Sequence, residues 1–168
     1  MGRDISEFRY GIGYDIHRLR KFKGGSFKLG GVDIGEGYRV IAHSDGDVIL
    51  HSIIDAILGA IGYPGDIGTL FPMTEENKDA DSSEFLDRVL DLALEIGFKV
   101  LQVDITVIAQ RPRLSEYRLT IRQNLSKLLN LPQERIGLKF RTNERLGPIG
   151  AGRAIAAMSL VVLGKIGG

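Results

Sequence analysis

Apolar and polar positions alternate over residues 8–17, where Tyr10, Ile12, Tyr14 and Ile16 stand against Gly11, Gly13, Asp15 and His17. A period of two with one apolar face predicts a strand. A glycine-rich stretch, 24–37, follows, with short strand pieces around 27–29 and 40–42. The period then changes. Ser44-Asp45-Gly46-Asp47 supplies helix-capping side chains, and 48–61 reads as a helix that is apolar on almost every side and therefore buried. Gly62-Tyr63-Pro64-Gly65 ends it and opens a loop, 66–79, rich in turn formers. Asp81-Ser82-Ser83-Glu84 has the form of a capping box and starts a second helix that stops at Gly97, with Phe85, Val89, Leu92 and Ile96 in one stripe. Val103, Ile105 and Val107 alternate with Asp104 and Thr106 as a strand, and a third helix spans about 115–129, before Pro132. Ile136, Leu138 and Phe140 mark another strand, 142–152 is a glycine-punctuated loop, and 154–163 is a final buried strand. This order predicts an α+β fold, a mixed β-sheet with helices packed on one face, in a single domain over 1–168.

Composition narrows the chemistry. The chain has 168 residues, 22 basic and 21 acidic, for a net charge of +1, and no cysteine. That length suits one domain able to bury about two-thirds of its unfolded surface. Without cysteine there is no disulfide framework, zinc finger, iron–sulfur cluster or thiol nucleophile. Any metal must sit on histidine and carboxylate, and the only histidines are His17, His43 and His51. The near-neutral balance argues against a nucleic-acid partner. The longest apolar stretch, 155–163, is interrupted by Ser159 and falls far short of the roughly 20 residues a membrane-spanning helix needs. The N-terminus shows neither an apolar signal region nor an arginine-rich transit pattern, so the expected location is cytoplasmic, with no membrane association. Gly2 and Ser6 match a loose myristoylation pattern, which chance also supplies.

Asp15-Ile16-His17 places two side chains on one face of a strand with origins roughly 6.8 Å apart, so both can converge on one ion. His51 lies one helical turn from both Asp47 and Asp55, so its imidazole can point to a site while a carboxylate orients the other ring nitrogen. Two histidines and one carboxylate leave an open fourth position, which suits a catalytic zinc. A histidine in an apolar helix is also an ordinary hydrogen-bonded core residue, and His43 could be a surface loop residue; spacing alone leaves both readings open. Thr142-Asn143-Glu144, where a strand runs into a glycine-bearing loop, offers hydroxyl, amide and carboxylate to phosphate oxygens and a hard cation such as magnesium. A solvated turn has the same composition. Gly65-Asp66-Ile67-Gly68 either presents an acid to a polyol or simply makes a turn.

Three longer strings are more specific: 43–51 (His43-Ser44-Asp45-Gly46-Asp47-Val48-Ile49-Leu50-His51), Asp55-Ala56-Ile57-Leu58-Gly59-Ala60, and Gly65-Asp66-Ile67-Gly68-Thr69-Leu70-Phe71-Pro72. With Asp15-Ile16-His17, 104–110 and Glu144-Arg145-Leu146-Gly147, the chain from about Gly11 to Leu163 resembles the 2-C-methyl-D-erythritol 2,4-cyclodiphosphate synthase family of the non-mevalonate isoprenoid pathway. The resemblance implies a phosphorus–oxygen lyase. Its substrate would be 4-diphosphocytidyl-2-C-methyl-D-erythritol 2-phosphate, whose 2-phosphate attacks the β-phosphorus to release CMP and the cyclic diphosphate. It implies zinc on Asp15, His17 and His51, and a second divalent cation, Mg2+ or Mn2+, near Glu144. It further implies transition-state contacts from His43 and Thr142. Asp15, His17, His43, Ser44 and the Asp66-Ile67-Gly68 turn would contact substrate, as would Phe71, Thr74 and Glu75 of a mobile loop. Ala109, Arg113 and Leu114 would form the cytidine pocket, contributed by the adjacent subunit of a homotrimer whose sheets surround a central cavity. Arg141, Thr142, Asn143 and Glu144 complete the implied substrate contacts.

The chain departs from the family pattern in places. Met73 stands where the loop usually has an acid, Arg141 and Asn143 replace threonines, and Arg113 replaces a lysine. In 147–153 the family often reads G-F-x-G-R-G-E, whereas here Pro148 and Ala151 replace the phenylalanine and arginine and Arg153 takes the glutamate position. The central cavity holds isoprenoid diphosphates in the family, so these changes put that ligand in question here. Arg153 is the candidate replacement guanidinium. Two other functions keep the same resemblance: a trimeric binder without turnover, and a phosphohydrolase that admits water to phosphorus.

Overall fold

The computed structural model describes residues 7–167, so the myristoylation pattern at Gly2 and Ser6 lies outside the described residues. In chain order the strands are β1 (Phe8–Lys21), β2 (Phe27–Leu29), β3 (Val32–Ile34), β4 (Tyr38–Ile41), β5 (Phe98–Ile108), β6 (Ile136–Arg141) and β7 (Ala154–Lys165). The helices are α1 (Val48–Ile61), the short α2 (Ile67–Leu70), α3 (Ser82–Glu95), α4 (Arg118–Leu128) and the short α5 (Gly147–Gly150). The predicted third helix is divided, because a 3-10 turn, Ser115–Tyr117, leads into α4. Strand β3, which closes a small hairpin with β2, was not anticipated.

Five strands form one sheet in the order β4-β1-β7-β5-β6. β7 pairs antiparallel with β1 from Phe8 opposite Gly164 to Arg18 opposite Ala154, and its other edge pairs antiparallel with β5. β6 adds parallel to β5, so the sheet is mixed and the architecture is α+β, as expected.

The two faces of β1 are used in an unexpected sense. Its apolar row is the open one: Tyr10 is 65% and Ile12 68% exposed, and Tyr14 and Ile16, with Met158 and Leu160 of β7, are exposed beside them. The glycine row lies under α1. A Cβ on Gly11 would fall 1.8 Å from the Ala56 carbonyl oxygen, and one on Gly13 would fall 1.9 Å from that of Ser52. Only hydrogen fits there, so the two glycines let helix backbone rest directly on the strand. That contact carries the first turns of α1 over the following residues of the same row, Asp15 and His17.

Helix α1 is buried almost all round, as its composition predicts, with Ile49, Leu50, Ile53, Ile54, Ile57 and Leu58 fully enclosed. Asp47 caps it and accepts from the backbone N–H groups of Ile49 (3.0 Å) and Leu50 (3.1 Å). The same carboxylate accepts from Gly30 (2.9 Å) and Gly31 (2.7 Å) in the β2–β3 turn. One buried acid therefore ties the start of α1 to the hairpin, satisfying backbone donors that would otherwise be lost to the interior.

Candidate metal centre and active site

Asp15 and His17 leave the α1-facing row of β1, and His51 projects toward them from the first turn of α1. The Asp15 Oδ2 atom lies 3.0 Å from His17 Nε2 and 2.9 Å from His51 Nδ1, and the two ring nitrogens are 3.2 Å apart. Three donor atoms thus form a nearly equilateral triangle. Ligands about 2.0–2.2 Å from a tetrahedral ion stand roughly 3.3 Å from one another, so these residues fit a small divalent cation on geometry as well as on donor type. The pair chemistry agrees. Burial alone would raise the Asp15 carboxyl, but hydrogen bonds and charge from His17 and His51 outweigh it and hold the group well below its ordinary range. Burial pushes the His51 imidazole down, and the Asp15 carboxylate, with Asp47 and Asp45 nearby, more than reverses this.

The outer nitrogen of His51 corrects one sequence expectation. Neither Asp47 nor Asp55 orients it: Asp47 is spent on four backbone N–H groups, and Asp55 accepts from Ile67 N–H at 2.8 Å. Instead His51 Nε2 meets Ser82 Oγ at 2.9 Å and Ser44 Oγ at 3.3 Å. Ser82 comes from the first turn of α3, 31 residues away, where the sequence shows only a capping serine.

The triangle lies in a cavity of about 200 Å³ lined also by His43, Ser44, Ile67, Gly68 and Phe71, together with Met73, Asn77 and Phe85. His43 Nε2 is 2.8 Å from the Thr74 carbonyl oxygen, which draws the 71–77 segment toward the site. Phe71 stacks on Phe85 with ring centroids 4.2 Å apart, giving the cavity an apolar wall. Phe85 was legible only as part of the α3 stripe. Asp66 turns inward on its own helix, accepting from Thr69 N–H and Oγ1–H, so it caps α2. Glu75 heads a short 3-10 turn and pairs with Lys78.

The other expected residues gather elsewhere. Ala109, Arg113, Leu114, Arg141 and Thr142 line a second concavity of about 150 Å³ with Gln110 and Phe140. Thr142 Oγ1 donates to Glu144 Oε1 at 2.8 Å, and Asn143 donates to the Leu146 carbonyl oxygen. Glu144 offers a single exposed carboxylate, which suits magnesium, an ion that takes one or two carboxylates and completes its shell with substrate phosphates and water. The register sets the two groups apart. Ile16, Ala156, Ile108 and Arg141 occupy one row across β1, β7, β5 and β6, three strand spacings or roughly 14 Å. A third and larger cavity, about 750 Å³, is lined by Arg18, Arg20, Lys21, Arg111 and Arg153 beside Pro148 and Ala151.

Comparison with known proteins gives the family and the fold. Residues 8–164 match the model of the YgbB family. A 2-C-methyl-D-erythritol 2,4-cyclodiphosphate synthase of Solibacter usitatus is 42% identical over 162 residues, 96% of this chain and 100% of the relative. Among solved structures, the IspF of Plasmodium falciparum in a CDP complex superposes with a TM-score of 0.84 at 40% identity, covering 95% of this chain and 97% of that one. The bifunctional IspDF of Campylobacter jejuni superposes with a TM-score of 0.88 at 40% identity, covering 96% of this chain and 43% of that one. The chain belongs to the YgbB family.

Proposed function

We propose that this chain is a phosphorus–oxygen lyase that converts 4-diphosphocytidyl-2-C-methyl-D-erythritol 2-phosphate into 2-C-methyl-D-erythritol 2,4-cyclodiphosphate and CMP, a step of isoprenoid precursor synthesis. The observation that carries the reading is the Asp15–His17–His51 triangle, set in a cavity with His43 and Ser44 in a chain so similar to named synthases. An oxygen of the 2-phosphate forms a bond to the β-phosphorus while the bond from that phosphorus to the bridging oxygen of CMP breaks. The nucleophile is already an anion, so no general base is needed and catalysis rests on positioning and charge.

Asp15, His17 and His51 would hold zinc and Glu144 a second divalent cation, Mg2+ or Mn2+, which when bound supply Lewis acidity to the β-phosphate and neutralise the departing CMP. His43 donates a hydrogen bond to a phosphate oxygen, exchanging its contact with the Thr74 carbonyl for one with substrate. Ser44 and the Asp66-Ile67-Gly68 turn hold the methylerythritol, with Phe71, Thr74 and Glu75 closing over it. Ala109, Arg113 and Leu114 receive the cytidine. Arg141, Thr142 and Asn143 contact the diphosphate from that side, with Thr142 as the second transition-state donor.

The two groups of residues belong to one site if adjacent subunits bring them together. The open apolar face of β1 and β7 supports a homotrimer with the sheets around a central cavity, each subunit being one domain. In that cavity the five cations about Arg153 support an anionic ligand, an isoprenoid diphosphate, although Pro148 and Ala151 remove the usual aromatic and arginine. The same reading places the protein in the cytoplasm. Among the described residues no helix is long and apolar enough to cross a membrane.

Incubation with the cytidine diphosphate substrate, followed by phosphorus resonances, tests the reading. Cyclic diphosphate with equimolar CMP is expected. Linear hydrolysis products would indicate the phosphohydrolase, and an unchanged spectrum the pure binder.

A further inference from the structure

The outer side of His51 carries more than an isolated contact. Ser82 Oγ, 2.9 Å from His51 Nε2, also meets Asp45 Oδ1 in a short hydrogen bond, and the Ser82 backbone N–H donates to Asp45 Oδ2 at 3.0 Å. Asp45 therefore grips Ser82 with both oxygens. The segment is docked by backbone bonds as well: Asp45 N–H donates to the Ala80 carbonyl (3.2 Å) and Asp79 N–H to the His43 carbonyl (2.9 Å).

The donor inventory gives this chain a direction. An ionised carboxylate only accepts, so the Ser82 hydroxyl proton must point at Asp45. The Ser82 oxygen then has only lone pairs to offer His51, so Nε2 must carry a ring proton. Nδ1 is then the nitrogen that faces Asp15 and His17: in the metal-free protein its proton is donated to the Asp15 carboxylate, and its lone pair would be offered to a cation that displaced that proton. The other contact of Nε2, to Ser44 Oγ, is longer at 3.3 Å, so the 2.9 Å contact to Ser82 sets the proton.

Resting on the proposed zinc-dependent reading of the Asp15–His17–His51 group, we infer that Ser82 and Asp45 are positioning residues for His51. They hold its Nε2-protonated tautomer and thereby present Nδ1 to the metal, and they make this depend on docking of the start of α3 against the 43–45 segment. Neither residue touches the reacting atoms. This role separates Ser82 from Ser83 beside it, whose hydroxyl serves only the Asp81 cap.

Two measurements on the full chain, both without substrate, test the inference. Zinc-loaded protein with nitrogen-15-labelled histidine reports which His51 nitrogen keeps its proton when the other is ligated, and zinc titration against a chelating dye reports affinity. Ser82→Ala is expected to bring in the Nδ1-protonated form and to weaken zinc binding by about 10- to 100-fold, the usual cost of losing such a partner. Ser83→Ala should change neither quantity, and Ser82→Thr, which keeps the hydroxyl, should restore the tautomer. If Ser82→Ala does not fold, Asp45→Asn decides, since its amide can donate to Ser82 and reverse the chain. A folded Ser82→Ala or Asp45→Asn protein that keeps the Nε2 proton and binds zinc within twofold of the parent overturns the inference. Because no substrate is present, failure of the cyclisation assay would leave this outcome readable.

Discussion

The Asp15–His17–His51 cavity and the Thr142–Glu144 segment are both polar clusters, yet they are built differently. The first stands on β1 and α1, its donors are partly or wholly buried, and the outer nitrogen of His51 is held in turn by Ser82. The second follows the end of β6 in an exposed turn where Glu144 and Arg145 take positive φ (48° and 62°) and Thr142 and Glu144 bond mainly to each other. A cluster whose partners are all supplied by one chain is preorganised. A cluster left open to solvent, some 14 Å away across the sheet, has no such backing. The fold of one chain thus brings the proposed metal ligands together, and the nucleotide half is left to the proposed contact between subunits.

The sharpest way to break this contrast is His51→Ala. It should abolish zinc binding and turnover together while leaving the secondary structure unchanged, as read by metal analysis, the phosphorus assay and circular dichroism; retained zinc would remove His51 from the ligand set. Thr142→Ala should act on the other half alone, lowering kcat by about 100-fold, the typical loss for one transition-state donor, with zinc content intact. If the halves meet between subunits, mixing His51→Ala and Arg113→Glu proteins, each inactive alone, should restore activity. Random reassembly of a trimer gives about one intact site in four, so about a quarter of parental turnover is expected, whereas none would argue that both halves act within one subunit.

The smallest effect concerns the metal-free protein. Asp15 is depressed and His51 raised on folding, so the pair contributes fully between their ordinary values, 3.8 and 6.5. Its contribution is lost as pH falls through the lowered Asp15 value, and again as pH rises through the raised His51 value. In urea unfolding with a chelator present, Asp15→Asn should therefore cost most stability near pH 5 and less at pH 8. Equal costs at the two pH values would disconnect the pair from stability.

Local pattern made the long elements legible. Helix α1 begins after Asp47 and ends before Gly62 as read, and α3 follows Asp81. Asp15 and His17 share a face because a strand has a period of two, and the structure adds only that His51 meets them. Three features were not legible, each because it depends on a partner distant in the chain. The buried row of β1 is the glycine row, since backbone contact with Ala56 and Ser52 outweighs the burial its apolar row would have gained. Strand β3 is three residues long and exists through its pairing with β2. Ser82 orients His51 because the 79–82 segment docks on 43–45, a contact with no signature in either segment alone.

By itself the sequence determined the chemical inventory: three histidines and no cysteine, an Asp-x-His on a strand, and family strings spanning nearly the whole chain. These are properties of residue type and short spacing, which need no folding to be counted. Tertiary packing alone sets which nitrogen of His51 faces Asp15, which acid or hydroxyl backs it, and that Ala109, Arg113, Leu114, Arg141 and Thr142 gather in a separate concavity. Such choices depend on distances between segments tens of residues apart. Packing sets those distances, and two glycines under α1 set the closest of them.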